Sequence, residues 1–437
     1  MGTQRERAGR DRLPVIVVAG VHEQQVRATA REVRSLEPSS TALVHHDLRG
    51  LDQGVVRRSV RRGDQEQVTN LELVHGCASC TLREDLLPLL RRLSEEPGVG
   101  GAVVRLDPAL EPESVCAAIR HVPVDDRTVD EDVEIRAVLT AVDVLSWLDD
   151  AGGDEPLVER GLGAVADDER TLAQVAVGQA EFADGFVLAG TGRDRWLDAR
   201  TEAVLGRLAP NAPIARLEGL SAGELLDRVP PNARRGAVDG PHGPLLRGDP
   251  PFEPDCGVTV TLFEHRRPFH PQRLHEAVDV LLDGTVRTRG RAWVATQPDT
   301  VLWLESAGGG LAVGEAGPWL AAVPADDWAV AEPERQLRAS MTWDEHYGDR
   351  MQELVVIAHE ADPEEIRRSL RSALLTDEEL GGGRALWSRW SDPFGEWHVD
   401  PCSEPELVDG AELADGAGLA DGAGLADGME KHERNQR

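Results

Sequence analysis

VIVVAGVHEQQVRATAREVRSL, Val15–Leu36, begins with an unbroken apolar run to Gly20 and continues into a stretch of Glu, Gln, Arg and Ala. An apolar run of that length is the pattern of a strand buried on both faces. Glu23–Leu36 has helix-forming composition with a thin apolar stripe. Further strand-like runs lie at Ala42–His45, Ala102–Leu106, Ala137–Val142 and Phe186–Ala189, with helical segments between several of them. This alternation predicts a parallel α/β sheet over residues 13–228. Residues 229–257 are dense in Pro and Gly and read as an interdomain linker.

A second domain is expected over residues 258–400. VTVTLFEH (258–265) alternates like a strand, Pro271 suits the first turn of a helix, and Leu274, Val278, Leu281 and Leu282 recur at helical spacing. RAWVAT and TVLWLES look like an antiparallel pair, ELVVIAH is a later strand, and Pro363–Leu375 is a second helix. That order predicts a smaller α+β domain with its helices on one sheet face. After Cys402 the repeat LADGAGLADGAGLADG carries one leucine per six residues. It cannot bury enough apolar area to offset its ordering entropy, so 403–437 is expected to be a disordered tail.

Across 437 residues, 47 Lys+Arg against 78 Asp+Glu give a formal net charge of −31. That field repels phosphate backbones, which argues against extensive direct binding to DNA or RNA, and it suits a cation or a basic protein partner. The first residues, MGTQRERAGRDRLP, are charged, and VIVVAG is too short for a signal peptide or a membrane span. A cytoplasmic protein without membrane contact is the expectation. Five cysteines in so long a chain do not look like a secreted disulfide framework.

Two of them stand close together in HGCASCTLREDLLPLL, His75–Leu90. Thr81-x-x-Glu84 reads as a capping box, which puts Cys77 and Cys80 before a helix N-terminus, where thiolate is favoured. Pro88 means that the helix kinks there or that its regular part begins later. Two thiolates are half of a tetrahedral zinc site, and His75, Cys116, and His45 or His46 are candidates to complete it. Redox exchange and a purely structural role are the other readings of C-x-x-C. His270 and His275 read as cap or surface histidines, and Trp293, Trp303, Trp319, Trp387, Trp390 and Trp397 as filling of the second core. Arg57–Arg62, RRSVRR, reads as a solvated loop.

GCASCTLREDLLPLL resembles the GCxCCTLRxDL segment of the CobW-like GTPases, P-loop proteins associated with zinc and cobalt handling. RRPFHPQRLHEAVDVLLDGTVRTRGRAWVA, ESAGGGLAVGEAGPW and RMQELVVIAHEADPEEIRRSLRSALLTDEEL resemble parts of the CobW C-terminal domain, so the resemblance spans most of Leu13 to Trp397. CTLR, DPALEPE, AQVAVGQAEFAD and DPFGEWH look most like the actinobacterial Mrf subgroup, whose members recruit a ribosome hibernation factor during zinc starvation.

The chain departs from the family where nucleotide chemistry is done. In G-x-x-x-x-G-K-[ST] counted from Gly20, the second glycine is Gln25, the lysine Val26 and the hydroxyl Arg27. In the E-x-x-G-x-x-D-P element the glycine is Pro108, which has no N–H for a γ-phosphate. AGTGRD, after the Phe186 strand, lacks the Asn-Lys pair of the guanine motif. Loss of charge and amide donors removes the electrostatics of phosphoryl transfer. The resemblance therefore implies a GTPase fold with little or no hydrolysis. Any remaining nucleotide contact would fall to Gly20, to Arg27 as a stand-in cation, and to Asp47 or Asp107 toward Mg²⁺. The implied function is a zinc-linked adaptor that brings a hibernation-promoting factor to the small ribosomal subunit. The alternatives are a GTP-dependent zinc metallochaperone and a simple zinc store or sensor.

Overall fold

The structure, a computed structural model, describes residues 12–72 and 81–395. Strands β1 (Leu13–Ala19), β2 (Thr41–Asp47), β3 (Val55–Arg62), β4 (Gln65–Glu72), β5 (Gly101–Arg105), β8 (Val133–Asp143), β9 (Gly185–Ala189) and β10 (Ile214–Arg216) form one sheet, while β6 (Pro123–Val124) and β7 (Arg127–Thr128) make a small ribbon. The order is β10-β9-β8-β1-β5-β2-β3-β4. Six strands from β10 to β2 run parallel, and β3 and β4 extend them as an antiparallel hairpin.

β1 is apolar throughout because it is covered twice. Val15, Val17 and Ala19 enter the core on one face, and Val18 joins Val26, Ala30 and Val33 of helix α1 (Glu23–Arg34) on the other. The first face is covered by α2 (Leu87–Glu95), α3 (Pro112–His121), α4 (Trp147–Gly152) and α5 (Leu172–Glu181); α6 (Arg195–Leu208) and α7 (Ala222–Asp227) follow in the chain.

Two local expectations are corrected. Arg57–Arg62 is part of strand β3 rather than a loop: Val56 and Val60 are buried, and Arg58, Arg61 and Arg62 pair with Asp85, Glu66 and Glu96. Thr81 already has helical angles (φ −57°, ψ −43°) instead of the extended angles of a cap, so no capping box forms there. A π-helical turn, Leu82–Leu86, intervenes, and the regular helix starts at Leu87 with Pro88 in its first turn, where a missing N–H costs nothing.

The second sheet, β11 (Thr259–His265), β12 (Thr285–Ala292), β13 (Thr300–Ala307), β14 (Gly310–Pro318) and β15 (Gln352–Ala358), is antiparallel in the order β11-β15-β12-β13-β14. Arg291 and Ala292 pair with Trp303 and Leu302 as read, but β12 starts earlier than RAWVAT and ends at Ala292. Helices α8 (Pro271–Leu282) and α11 (Pro363–Ala373) cover one face with Leu274, Leu281, Ile366 and Leu370. Between them in the chain come α9 (Ala325–Val330) and α10 (Pro333–Thr342), and α12 (Asp377–Trp387) closes the order.

The opposite face is not exposed. Val260, Val286, Val355 and Ile357 join the core of the first sheet. Residues 229–257 contain no helix or strand and are packed into this seam, with Leu245 buried and Arg291 donating to the carbonyls of Pro241 (2.8 Å) and Gly243. Glu181 of α5 sits between Arg287 (2.6 Å) and Arg289 (2.9 Å), which also hold Glu305. Burial alone would raise the Glu305 carboxyl, but the two guanidiniums overcome that and hold it at about 2.

Candidate functional site

Where a phosphate loop would lie, the backbone takes a different course. β1 ends at Ala19 and α1 begins at Glu23, so only Gly20, Val21 and His22 make the turn. The Val26 amide is spent inside the helix on the His22 carbonyl (3.1 Å), and the Val26 side chain, at the lysine position, is in the core. Gly20 has φ +150°, and a Cβ there would come within 2.6 Å of the Ala141 carbonyl oxygen and 2.7 Å of Val26 Cγ2. Glycine is therefore required here for close strand–helix packing. Side chains bridge the start of α1 to the end of β8 and beyond: Gln25 Nε2 donates to Asp143 Oδ2 (3.0 Å), and His22 Nε2 lies 2.9 Å from Ser146 Oγ and 3.2 Å from Asp150 Oδ2.

Of the other expected nucleotide residues, the two carboxylates are occupied. Arg27 is exposed on α1. Asp47 accepts from the Arg49 guanidinium (2.9 Å), and those bonds hold its carboxyl below the usual range. Asp107 accepts the amides of Leu48 (3.0 Å) and Ala109 (3.1 Å), while burial, aided by the Asp47 charge, raises its carboxyl. Pro108 is buried and its carbonyl accepts Gln179 Nε2 (3.2 Å). Arg170 clamps Ala109 O (3.0 Å) and Glu111 (3.1 Å), so the loop after β5 is fastened at several points. At the guanine position, Asp194 caps α6 through the Leu197 amide (2.8 Å), and Gly192 N–H donates to Asp198 (2.6 Å). Apart from the exposed Arg27, these residues do not fit a triphosphate with its Mg²⁺: the loop lysine is replaced by buried Val26, and the Val26 amide and the Asp47 and Asp107 carboxylates are engaged.

His75, Cys77 and Cys80, the core of the expected metal site, lie outside the described residues. Their flanks are described. β4 leads into the segment at Glu72, the π-helical turn leaves it at Leu82, and the end of β2 stands beside them. Asp85 of the turn is bound by His46 Nε2 (2.7 Å) and by Arg58. Burial opposes its ionisation, but the His46 hydrogen bond and the nearby charges hold the Asp85 carboxyl below its usual value.

Neighbouring residues of β2 point to opposite faces, so His46 shares the side of Asp85 while His45 shares that of Asp47. A carboxylate on one ring nitrogen, as Asp85 is on His46 Nε2, is the arrangement by which carboxylates orient metal-binding imidazoles. His45 Nδ1–H donates to the Arg105 carbonyl (3.1 Å), and burial followed by the Arg105 charge lowers the imidazole to about 4, so it stays neutral. Among the described residues no group of three or more His, Cys, Asp or Glu is placed to hold a metal ion.

Cys116 is a core residue. It is fully buried on α3, beside Gly236 and Ile135 of β8, and burial pushes its thiol up to about 12. The structure thus gives Cys116 to the core. The sequence reading missed Asp85 and Arg58, which no spacing rule connects to a histidine on another strand.

Residues 33–215 match the CobW/HypB/UreG nucleotide-binding domain, a match that starts downstream of Gly20–Arg27, and residues 258–374 match the cobalamin synthesis protein cobW C-terminal domain. A Mycobacterium tuberculosis protein named zinc chaperone Rv0106 is 46% identical over 405 residues, 90% of this chain and 95% of that protein. The Dictyostelium discoideum zinc-regulated GTPase metalloprotein activator 1 is 26% identical over 340 residues, 74% of this chain and 70% of its own length. Among solved structures, the Zn(II)-bound YjiA GTPase from E. coli aligns over 84% of this chain and 100% of its own at 13% identity, with a TM-score of 0.34. No helix among the described residues is long and apolar enough to cross a membrane. With both domains matched in order and a relative of this identity along nearly its whole length, the chain belongs to the CobW family.

Proposed function

We propose that this chain is a zinc-linked adaptor of the CobW family that works by holding a protein partner and not by hydrolysing GTP. The observation that carries the reading is the turn after β1, where α1 starts at Glu23 and Val26 is buried at the lysine position. Pro108 and the fastened loop after β5 point the same way. Zinc is the cargo or signal, bound through Cys77 and Cys80 with His46 oriented by Asp85 as a nitrogen donor. The names of the two relatives, a zinc chaperone and a zinc-regulated GTPase metalloprotein activator, support the metal. The partner in this reading is a ribosome hibernation-promoting factor, delivered to the small ribosomal subunit when zinc is scarce. A net charge of −31 suits a protein whose RNA-binding surface is basic.

The test is factor loading on ribosomes from zinc-starved cells that contain or lack this chain. Loading falls without it; unchanged loading would remove the adaptor reading. A second reading, a GTP-dependent zinc metallochaperone, is favoured by the relative whose name includes GTPase. GTP turnover with and without zinc separates the two, because only the metallochaperone hydrolyses GTP robustly.

A further inference from the structure

Helices α9 and α10 form a hairpin on the second domain whose outer side carries apolar residues that nothing among the described residues covers. Val330 is 83% exposed, Leu337 62%, Met341 78% and Trp343 49%. Leu337 and Met341 stand one turn apart on α10, and Trp328 meets Trp343 edge-on at 5.2 Å, joining the two helices. Isolated exposed leucines are ordinary, but several large apolar residues gathered on one helical hairpin mark a contact surface.

The inner side is firmly attached. Ala339 is buried, Arg338 Nε donates to Glu353 of β15 (3.1 Å), Arg335 donates to the Pro318 carbonyl, and Arg266 reaches the Thr342 carbonyl. Both basic residues of the segment 324–345, Arg335 and Arg338, are thereby used inward, against six acidic residues. Of those, Asp326, Asp327, Glu332, Glu334 and Glu345 are exposed. The surface offered is apolar with an acidic rim.

We propose that this hairpin is the docking surface for a cationic, amphipathic segment of a partner protein, whose apolar side would meet Leu337, Met341 and Trp343 and whose Lys or Arg side chains would meet the rim. Charge argues against a second copy and against the C-terminal segment as the occupant. A second copy presents the same acids on a chain of −31, and residues 403–437 hold nine acidic against three basic residues. Both repel the rim. The inference rests on the proposed function in one respect: a hibernation factor with a basic surface is then the natural occupant.

The test uses the full chain and two variants, Leu337→Asp/Met341→Asp and Leu337→Ala/Met341→Ala, with thermal melts as the folding control. The probes are a synthetic Leu/Lys amphipathic helical peptide, its Leu/Glu counterpart and the purified hibernation factor. The Leu/Lys peptide is expected to bind the parent chain and to lose at least tenfold in affinity in both variants, while the Leu/Glu peptide does not bind. Simple attraction to an acidic protein would instead be strengthened by the two added carboxylates, so binding to the aspartate variant that is unchanged or tighter overturns the proposal. A parent dimer that the variants dissociate overturns it too, in favour of a second copy. If the factor binds parent and variants alike, this surface falls and the adaptor reading stands. If the Leu/Lys peptide behaves as expected and the factor does not bind, the surface stands and the adaptor reading falls.

Discussion

Val26 occupies the position where a phosphate loop carries its lysine, and it lies among Val18, Ala30 and Val33 beneath α1. The residue type and its burial are one fact seen twice: once α1 starts at Glu23, the seventh position of the loop falls on the helix face that meets the sheet. Restoring lysine there does not restore a phosphate site. Val26→Lys is expected to destabilise the fold by about 3 kcal/mol, since an ammonium replaces a core methyl pair without a partner. Urea unfolding reads that loss, and a variant as stable as the parent would mean that the position opens toward solvent. The identity of these residues was legible in the sequence. Their geometry was not, because the register between loop and helix depends on where the first turn begins, and His22 offers no capping side-chain bond to announce it.

At the scale of elements, strands buried on both faces, such as β1 and β9, read directly as apolar runs, as did the helix after Pro271. β3 escaped that reading because it lies near the sheet edge: only Val56 and Val60 are buried, and its arginines find carboxylates on β4, on the π-helical turn and beyond α2. The same strand supplies Arg58 to the Asp85–His46 pair, so it supports the element that follows Cys77 and Cys80 in the chain. Asp85→Asn leaves Arg58 without its ion partner and releases the His46 tautomer. It is expected to cost about 3 kcal/mol of stability. It should also weaken zinc retention by roughly 10–100-fold if His46 is a ligand. Competition with a chromogenic chelator measures the second effect, and zinc affinity equal to the parent's would exclude His46 from the shell.

For the whole molecule, the second sheet is held between its own helices and the first domain, with the Glu181–Arg287–Glu305–Arg289 network in the seam. Residues 229–257 were readable as a connection from their Pro and Gly content, but their packing was not, because the contacts of Arg291 and Leu245 come from segments distant in sequence. Glu305 has a carboxyl depressed from 4.5 to about 2, so its contribution is fully present above pH 4.5 and is lost as pH falls toward 2. Trp303 Nε1 donates to the same carboxylate (2.8 Å). The melting temperature is expected to fall across that window, and Glu305→Gln should start lower at neutral pH and fall less steeply. An identical acid profile in the variant would show that the seam does not depend on this charge.

The loss of the phosphate clamp is the claim on which adaptor and enzyme part company. Calorimetric titration of the full-length, zinc-loaded chain with GTP and Mg²⁺ tests it most directly. The account predicts no saturable heat at micromolar nucleotide and no phosphate release; tight, Mg²⁺-dependent binding with turnover would contradict it.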